Sequence, residues 1–113
     1  MAEVRIAPED VLLTGIEATY TGGLLTTNTY KVRNSGRVIL HFLKGAAVDC
    51  VVTIPTPKTV AGLAVADTAV TVPATTGDKF IGPFPRDLYN DGSNDISFTL
   101  SDVDTLTVAV LEI

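Results

Sequence analysis

The sequence predicts an all-β protein, an antiparallel β-sandwich of the immunoglobulin-like or jelly-roll-like kind with seven to nine short strands. Val and Thr are abundant, and nine Gly and six Pro supply many turns. β-branched residues fit a pleated surface, whereas Gly and Pro interrupt strands. Short runs that alternate apolar and polar residues recur between the turns, which indicates two packed sheets. A small β-barrel is the alternative, because strand number alone does not distinguish two packed sheets from a closed one.

The length of the chain fits one domain with a short extension. A domain of 113 residues buries roughly two thirds of the surface of its unfolded chain. Residues 1–10 alternate only weakly before a proline and two acidic residues, so they are predicted to form an N-terminal arm. Residues 11–113 are predicted to form the single β-sandwich domain.

Four strands are predicted in the first half of the chain. Leu12–Tyr20 alternates clearly, and residues 30–33 alternate again after a Thr-rich loop. Arg37–Lys44 is apolar on both faces, which predicts a central strand covered on both sides. Gly45–Ala47 forms a turn into the next strand, Val48–Pro55. We predict that these last two strands form a hairpin.

The second half of the chain predicts four further strands. Thr68–Pro85 contains two short strands joined by a polar loop that begins with proline, in the manner of a hairpin. Residues 56–67 have no clear period and are predicted as a loop with at most one short strand. Arg86–Asp95 is predicted as a loop. Two strands with apolar inward rows, 96–100 and 106–110, complete the sandwich.

Charge and cysteine content exclude several classes of partner. The formal net charge is −5 at pH 7 and the sequence pI is about 4.5, so no nucleic-acid partner is expected. Cys50 has no second cysteine to pair with, which fits a reducing compartment. The first ten residues contain acids and no apolar signal-peptide core, and no run approaches the ~20 apolar residues of a membrane span. We therefore expect neither secretion nor a membrane partner.

No group of residues predicts an enzyme. His41 is the one histidine, and a nucleophile would need it as a base. It lies between Ile39 and Leu43 on an apolar strand, so we predict a packed or interfacial histidine. Cys50 shares its face with apolar residues and is predicted to be an inert core residue.

Neither a cofactor nor a metal site is predicted. Zinc requires more Cys and His than the chain contains. The acidic loop Asp87–Asp95 is rich in oxygen ligands, but Tyr89 occupies a ligand position of the helix-loop-helix calcium pattern and Phe98 stands in place of its closing Glu. The chain contains no Trp to serve as an aromatic platform for a sugar.

An ordered set of short motifs resembles a known group of proteins. The motifs are Asn34-x-Gly36-Arg37, Leu40-His41, Gly45-Ala46-Ala47, Val52-Thr53, Thr56-Pro57, Gly62-Leu63-Ala64-Val65-Ala66-Asp67, Val70-Thr71-Val72-Pro73-Ala74, Ile81-Gly82-Pro83-Phe84-Pro85 and Tyr89-Asn90. Their order and spacing over about residues 14–111 resemble small all-β virion proteins of tailed bacteriophages and prophages, which are found among head genes. The resemblance implies a head decoration (cement) protein that binds the outer capsid surface and stabilises it.

The same resemblance implies a partner and a location. The partner is the major capsid protein of a tailed phage, and the location is the capsid exterior of a virion assembled in the host cytoplasm. The hydrophobic content of 46% favours a homo-oligomer, which we predict to be a trimer around lattice symmetry points. The first alternative is a neck or tail adaptor or a tail-associated structural module. The second is a host-surface or carbohydrate-binding β-sandwich.

The partner interface is predicted at the two ends of the chain. The outer face of the last strand is apolar, and the N-terminal arm is free to order on a partner. The predicted interface residues are Val4, Arg5, Ile6, Ala109, Leu111 and Ile113.

Overall fold

The computed structural model describes residues 3–64 and 66–113, and these form a β-sandwich of one five-stranded and one four-stranded sheet. The predicted β-sandwich is confirmed. The elements in chain order are β1 (Glu3–Arg5), β2 (Glu9–Asp10), β3 (Thr29–Arg33), β4 (Val38–Lys44), β5 (Cys50–Ile54), β6 (Thr59–Val60), β7 (Leu63–Ala64), β8 (Thr68–Val72), β9 (Gly77–Ile81), α1 (Arg86–Tyr89), β10 (Asp95–Leu100) and β11 (Leu106–Glu112).

The two large sheets are interleaved along the chain. Their strand orders are β1-β3-β10-β5-β8 and β2-β11-β4-β9, and β6 pairs with β7 in a separate hairpin. The chain therefore changes sheet at every step between strands of the large sheets except from β5 to β8. The pairing is antiparallel apart from β1 with β3 and β2 with β11, which are parallel.

Both predicted hairpins are wrong. The pair Arg37–Lys44 and Val48–Pro55 corresponds to β4 and β5, which lie in opposite sheets, as do β8 and β9 within Thr68–Pro85. Alternation fixes which face of a strand is buried, but it does not fix the neighbouring strand. The connection 45–49 spans roughly 16 Å when extended, which is enough to cross the ~10 Å between packed sheets.

The strand predicted at Leu12–Tyr20 is also absent. Gly15 has a φ of 88°, and its N–H donates to the carbonyl of Leu12 at 2.9 Å, which closes a turn early in the segment. The chain then runs over the four-stranded sheet and joins it only where Thr21 forms an isolated bridge with Val108. The predicted loop Arg86–Asp95 instead begins with the one-turn helix α1.

The inner faces of the two sheets form the core. Phe42 of β4 contacts Phe98 of β10 edge to face, with ring centroids 5.7 Å apart, and Tyr30 stacks on Phe98 at 5.4 Å. The alternation of the strand predicted at Val48–Pro55 places Val48 on the same inward face as Cys50, but Val48 is exposed because β5 begins only at Cys50. The rest of that row is buried, as are the predicted inward rows on β10 and β11: Cys50, Val52 and Ile54; Ile96, Phe98 and Leu100; Leu106, Val108 and Val110. On β4, which was predicted to be covered on both faces, Val38, Leu40 and Phe42 are fully buried, whereas Ile39 and Leu43 on the other face are half-buried.

A close approach at Gly77 fixes the connection from β8 to β9. A Cβ atom at Gly77 would lie 2.3 Å from the carbonyl oxygen of Pro73, 2.8 Å from Cγ1 of Val72 and 3.0 Å from Cβ of Lys44. Backbone and core atoms at these distances cannot all move aside in a close-packed interior. Glycine is therefore required at this position by lack of space.

We expect Gly77→Ala to lower the free energy of unfolding by about 1–3 kcal/mol, because the added methyl group overpacks the site. Urea denaturation of the two proteins measures the difference. Gly92→Ala is the matched control, since a Cβ there meets no atom within 4 Å, and it should change stability by less than about 0.5 kcal/mol. Equal effects of the two substitutions would contradict the steric explanation.

Candidate functional site

The N-terminal segment connects the edges of the two sheets. β1 pairs in parallel with β3 at the edge of one sheet, and β2 pairs in parallel with β11 at the edge of the other. The N–H of Ile6 donates to the carbonyl of Lys31 at 2.9 Å, so the chain stays on β3 until it crosses. From Glu3 onward the predicted arm thus lies on the sheets, while Met1 and Ala2 lie outside the described residues.

A buried carboxylate holds this segment in place. Asp95, the first residue of β10, is 1% exposed. The guanidinium of Arg5 donates two hydrogen bonds to it, from Nη1 to Oδ1 at 2.9 Å and from Nη2 to Oδ2 at 2.6 Å. This bidentate pair raises the pKa of Arg5 and fixes both groups in orientation. Removal of either partner would leave a charge without compensation, which is costly on the buried side.

Lys31 provides a second electrostatic link to the same segment. Its Nζ lies 3.1 Å from Oδ2 of Asp91 and 3.1 Å from Oε2 of Glu3, and these hydrogen bonds raise the pKa of Lys31. Oδ1 of Asp91 accepts the N–H groups of Ser93 at 2.8 Å and Asp95 at 3.2 Å. Burial raises the pKa of Asp91, but these hydrogen bonds and Lys31 outweigh it and place the pKa below its ordinary 3.8.

The acidic loop is also anchored from inside. Asn34 is buried, and its Nδ2 donates to the carbonyl of Phe84 at 3.0 Å and to Oδ1 of Asn90 at 2.7 Å. Its Oδ1 accepts the N–H of Gly36 at 3.0 Å. The hydrogen bonds of Asn34 thus fix the acidic loop to the sandwich.

Among the described residues, no group of three or more His, Cys, Asp or Glu side chains is placed to hold a metal ion.

A cavity of about 430 Å³ lies beside the N-terminal segment that connects the two sheets. Its walls are mostly apolar, and the one carboxylate, Glu9, accepts the N–H of Thr19 through Oε1 at 2.8 Å. The lining residues are Val4, Arg5, Ile6, Ala7, Glu9, Thr19, Thr21 and Val110. The volume is within the range of sites that hold a small ligand or a partner's side chain.

Four exposed apolar residues lie at the end of the four-stranded sheet, and we call them the apolar end patch: Val11, Leu12, Leu13 and Ile113. The N–H of Val11 donates to the carbonyl of Glu112, and the N–H of Ile113 donates to the carbonyl of Arg37, each at 2.9 Å. The first bond holds Val11 beside the end of β11 and so brings the two segments of the patch together, whereas the second joins Ile113 to the residue before β4. Leu13 is 107% exposed and the other three are about half exposed. Exposed apolar clusters of this kind mark sites of contact with other molecules.

The six residues predicted at the interface lie in different surroundings. Val4 is partly exposed, and it lines the cavity together with Arg5 and Ile6. Ile113 belongs to the apolar end patch. Leu111 is half-buried where β11 pairs with β2.

Ala109 is fully buried, because the chain itself covers part of the outer face of β11. It pairs with His41 in the sheet, and that histidine bonds to Tyr20 of the segment before β3, residues 14–21, which we call the crossing segment.

The neighbours of His41 were not predicted from the sequence. Its Nε2 bonds to Oδ1 of Asp78 at 2.5 Å, and its Nδ1 bonds to the hydroxyl of Tyr20 at 2.7 Å. The ring of Phe80 stacks on the imidazole with centroids 3.9 Å apart and planes 4° apart. Both ring nitrogens of His41 thus have a hydrogen-bond partner. The histidine is 8% exposed, and thus packed, as predicted.

This arrangement fixes two aromatic rings on the surface. Phe80 is 62% exposed and Tyr20 is 38% exposed, yet both are held by His41. Rigid aromatic side chains lose little entropy when a partner covers them, which is why they dominate the binding energy of many interfaces. Asp78 and Phe80 lie two residues apart on β9, but only the pairing of β9 with β4 brings them to the histidine.

No protein-family model, curated protein or solved structure matches the chain. No helix in the described part of the chain is long and apolar enough to cross a membrane. Three separate surface features are the candidate functional sites: the cavity, the apolar end patch and the exposed aromatic pair Tyr20 and Phe80.

The lowered pKa of Asp91 predicts a loss of stability in acid. A carboxyl group whose pKa is lowered by folding stabilises the folded state fully above its unfolded pKa, near 3.8, and this stabilisation is lost as the pH falls through the folded pKa. We expect the melting temperature to fall from about pH 4 downward, and Asp91→Asn to reduce that slope because asparagine does not titrate. Thermal denaturation from pH 6 to pH 2 measures both.

Asp87→Asn is the control for this prediction, because Asp87 lies four residues before Asp91, on α1, and is exposed. In this control, the melting temperature should fall with decreasing pH as steeply as it does in the unmodified protein. If Asp91→Asn also retained this slope, Asp91 would not contribute to the acid sensitivity.

Proposed function

We propose that this chain is a structural protein of a tailed-phage virion, namely a head decoration protein that binds the outer capsid surface and stabilises it. The observation that carries the proposal is the apolar end patch, in which Val11, Leu12, Leu13 and Ile113 are exposed at one end of the four-stranded sheet. A protein that acts by adhesion needs a rigid body and an apolar contact surface. The major capsid protein is the proposed partner.

The motif resemblance and the fold support the proposal together. Asn34 and Phe84 belong to motifs of the resemblance, and both are buried where the acidic loop joins the sandwich. These motif residues thus contribute to the framework of the sandwich, whereas the end patch and the aromatic pair supply the proposed contact surface. Many such contacts on one shell would strengthen each other by multivalency.

We expect Leu13→Asp to weaken binding to expanded heads of the phage that encodes the chain. Burial of a leucine side chain contributes about 1.5–3 kcal/mol, so loss of this contact corresponds to roughly a tenfold to hundredfold weaker affinity. The measurement is the ratio of bound chain to major capsid protein on purified heads, determined by quantitative gel electrophoresis over a range of added protein.

Val48→Asp is the matched control, because Val48 is exposed in the connection between β4 and β5, outside the end patch. It should bind as the unmodified protein does. Equal binding of all three proteins would exclude the end patch from the contact. A copy number comparable with that of the major capsid protein supports head decoration. A much lower copy number, equal to one ring of subunits per particle, would favour the neck or tail alternative.

A further inference from the structure

We propose that β8 (Thr68–Val72) is an assembly edge, which pairs antiparallel with β8 of a second copy of this chain about a two-fold axis. The inference concerns self-association and is independent of binding to a capsid. It rests on the composition of the sheet edges, on the direction of the backbone groups of β8 and on the self-complementarity of its sequence.

The other three sheet edges are protected, whereas β8 is not. Natural sheets prevent edge-to-edge association with very short edge strands and with charged side chains. β1 and β2 contain three and two residues, and β9 has two adjacent charges near its middle. β8 has five residues, Thr-Ala-Val-Thr-Val, with no charge. The charged residues on the protected edges are Glu3, Arg5, Glu9, Asp10, Asp78 and Lys79.

The backbone of β8 presents free hydrogen-bonding groups at this edge. The carbonyl of Val51 in β5 accepts the N–H of Ser101 at 3.2 Å, so Val51 faces the β10 side. Successive residues of a strand face opposite sides, and therefore Val52 faces β8 and bonds to its register partner Val70. The backbone groups of Ala69 and Thr71 then point away from the sheet. Both residues are exposed, and within the described chain neither has a backbone partner on that side.

These groups match a second copy of themselves. With the two-fold axis at Val70, Ala69 lies opposite the partner's Thr71, and Thr71 lies opposite the partner's Ala69. Each of these two pairs exchanges two N–H···O hydrogen bonds, so the contact between the copies contains four backbone hydrogen bonds. Val70 faces the partner's Val70 in the pair without hydrogen bonds, where Cα atoms are about 4.5 Å apart. The contact opposes only small or β-branched side chains and no like charges.

A two-fold contact of this kind closes after two copies, so it gives a dimer and differs from the trimer predicted from the sequence. Five residues per copy bury less area than a standard stable interface. We therefore expect a weak dimer in solution, which a high local concentration strengthens. An unrelated strand would pair with the same free backbone groups of β8. Only a second copy places Val70 opposite the partner's Val70 on a two-fold axis.

The test is a disulfide across the axis. The non-hydrogen-bonded pair places the two Cα atoms within the range that a disulfide spans, so Val70→Cys should form a covalent dimer under mild oxidation, visible on non-reducing gels. Lys79→Cys is the matched control, because Lys79 is the central residue of the protected β9 edge and is more exposed. The native Cys50 is fully buried and stays in both proteins. We expect Val70→Cys to cross-link at least roughly tenfold faster than Lys79→Cys.

A second variant separates pairing from chance collision. Thr71→Lys adds a charge to the exposed side of β8 and should slow the Val70→Cys cross-link to the rate of the control, while the melting temperature stays the same. Sedimentation of the unmodified chain at rising concentration should show a dimer that Thr71→Lys removes. Cross-linking no faster than in Lys79→Cys, or a dimer unaffected by Thr71→Lys, would overturn the proposal.

Discussion

The edge-to-face contact of Phe42 with Phe98 joins the two sheets at their centres. Phe42 lies on β4, between β11 and β9, and Phe98 lies on β10, between β3 and β5. Both side chains are fully buried, and each ring contributes more apolar area to the core than any aliphatic neighbour. The distance between these rings sets the spacing of the sheets. Tyr30 of β3 stacks on Phe98, and Val52 of β5 and Val108 of β11 belong to the same buried cluster.

Polar groups fix the two ends of the sandwich, where the apolar core stops. At one end, the buried Nζ of Lys44 donates to Oδ1 of Asp102 at 2.8 Å and to the carbonyl of Asp104 at 2.7 Å. The other end has the Arg5 and Asp95 pair. Buried charges contribute less to stability than to the choice of one geometry, since each is tolerated only with its partner in place. The core thus sets the spacing of the sheets, and the ion pairs position the connection from β10 to β11 and the N-terminal segment.

The sequence predicted which face of each strand is buried far better than it predicted which strands pair. The inward row that contains Phe98 followed from alternation, because burial of one face imposes a period of two on a strand. Strand partners did not follow, since β4 could bury the same row beside β5 or opposite it. The same limit applied to the candidate site. His41 was predicted to be packed, but Asp78 and Tyr20 reach it only through the pairing of β9 and the path of the crossing segment. Arg5 was predicted at a partner interface as part of the N-terminal arm, and nothing in the sequence pattern indicated that its guanidinium pairs with the buried Asp95.

A β-sandwich has edge strands with unpaired backbone groups, whereas a closed barrel has none. The edge strands therefore determine where the chain can pair with another chain. The N-terminal segment occupies the edge beside β3 and the edge beside β11 with β1 and β2. On the opposite side, β9 is protected by charge and β8 remains open. The apolar end patch lies at the β2 and β11 side, since Val11 directly follows β2 and Ile113 directly follows β11. In each sheet, β8 or β9 stands at the end of the strand order opposite to β1 or β2. The proposed pairing edge β8 and the apolar end patch are therefore separate, so that the proposed dimer would leave the end patch exposed.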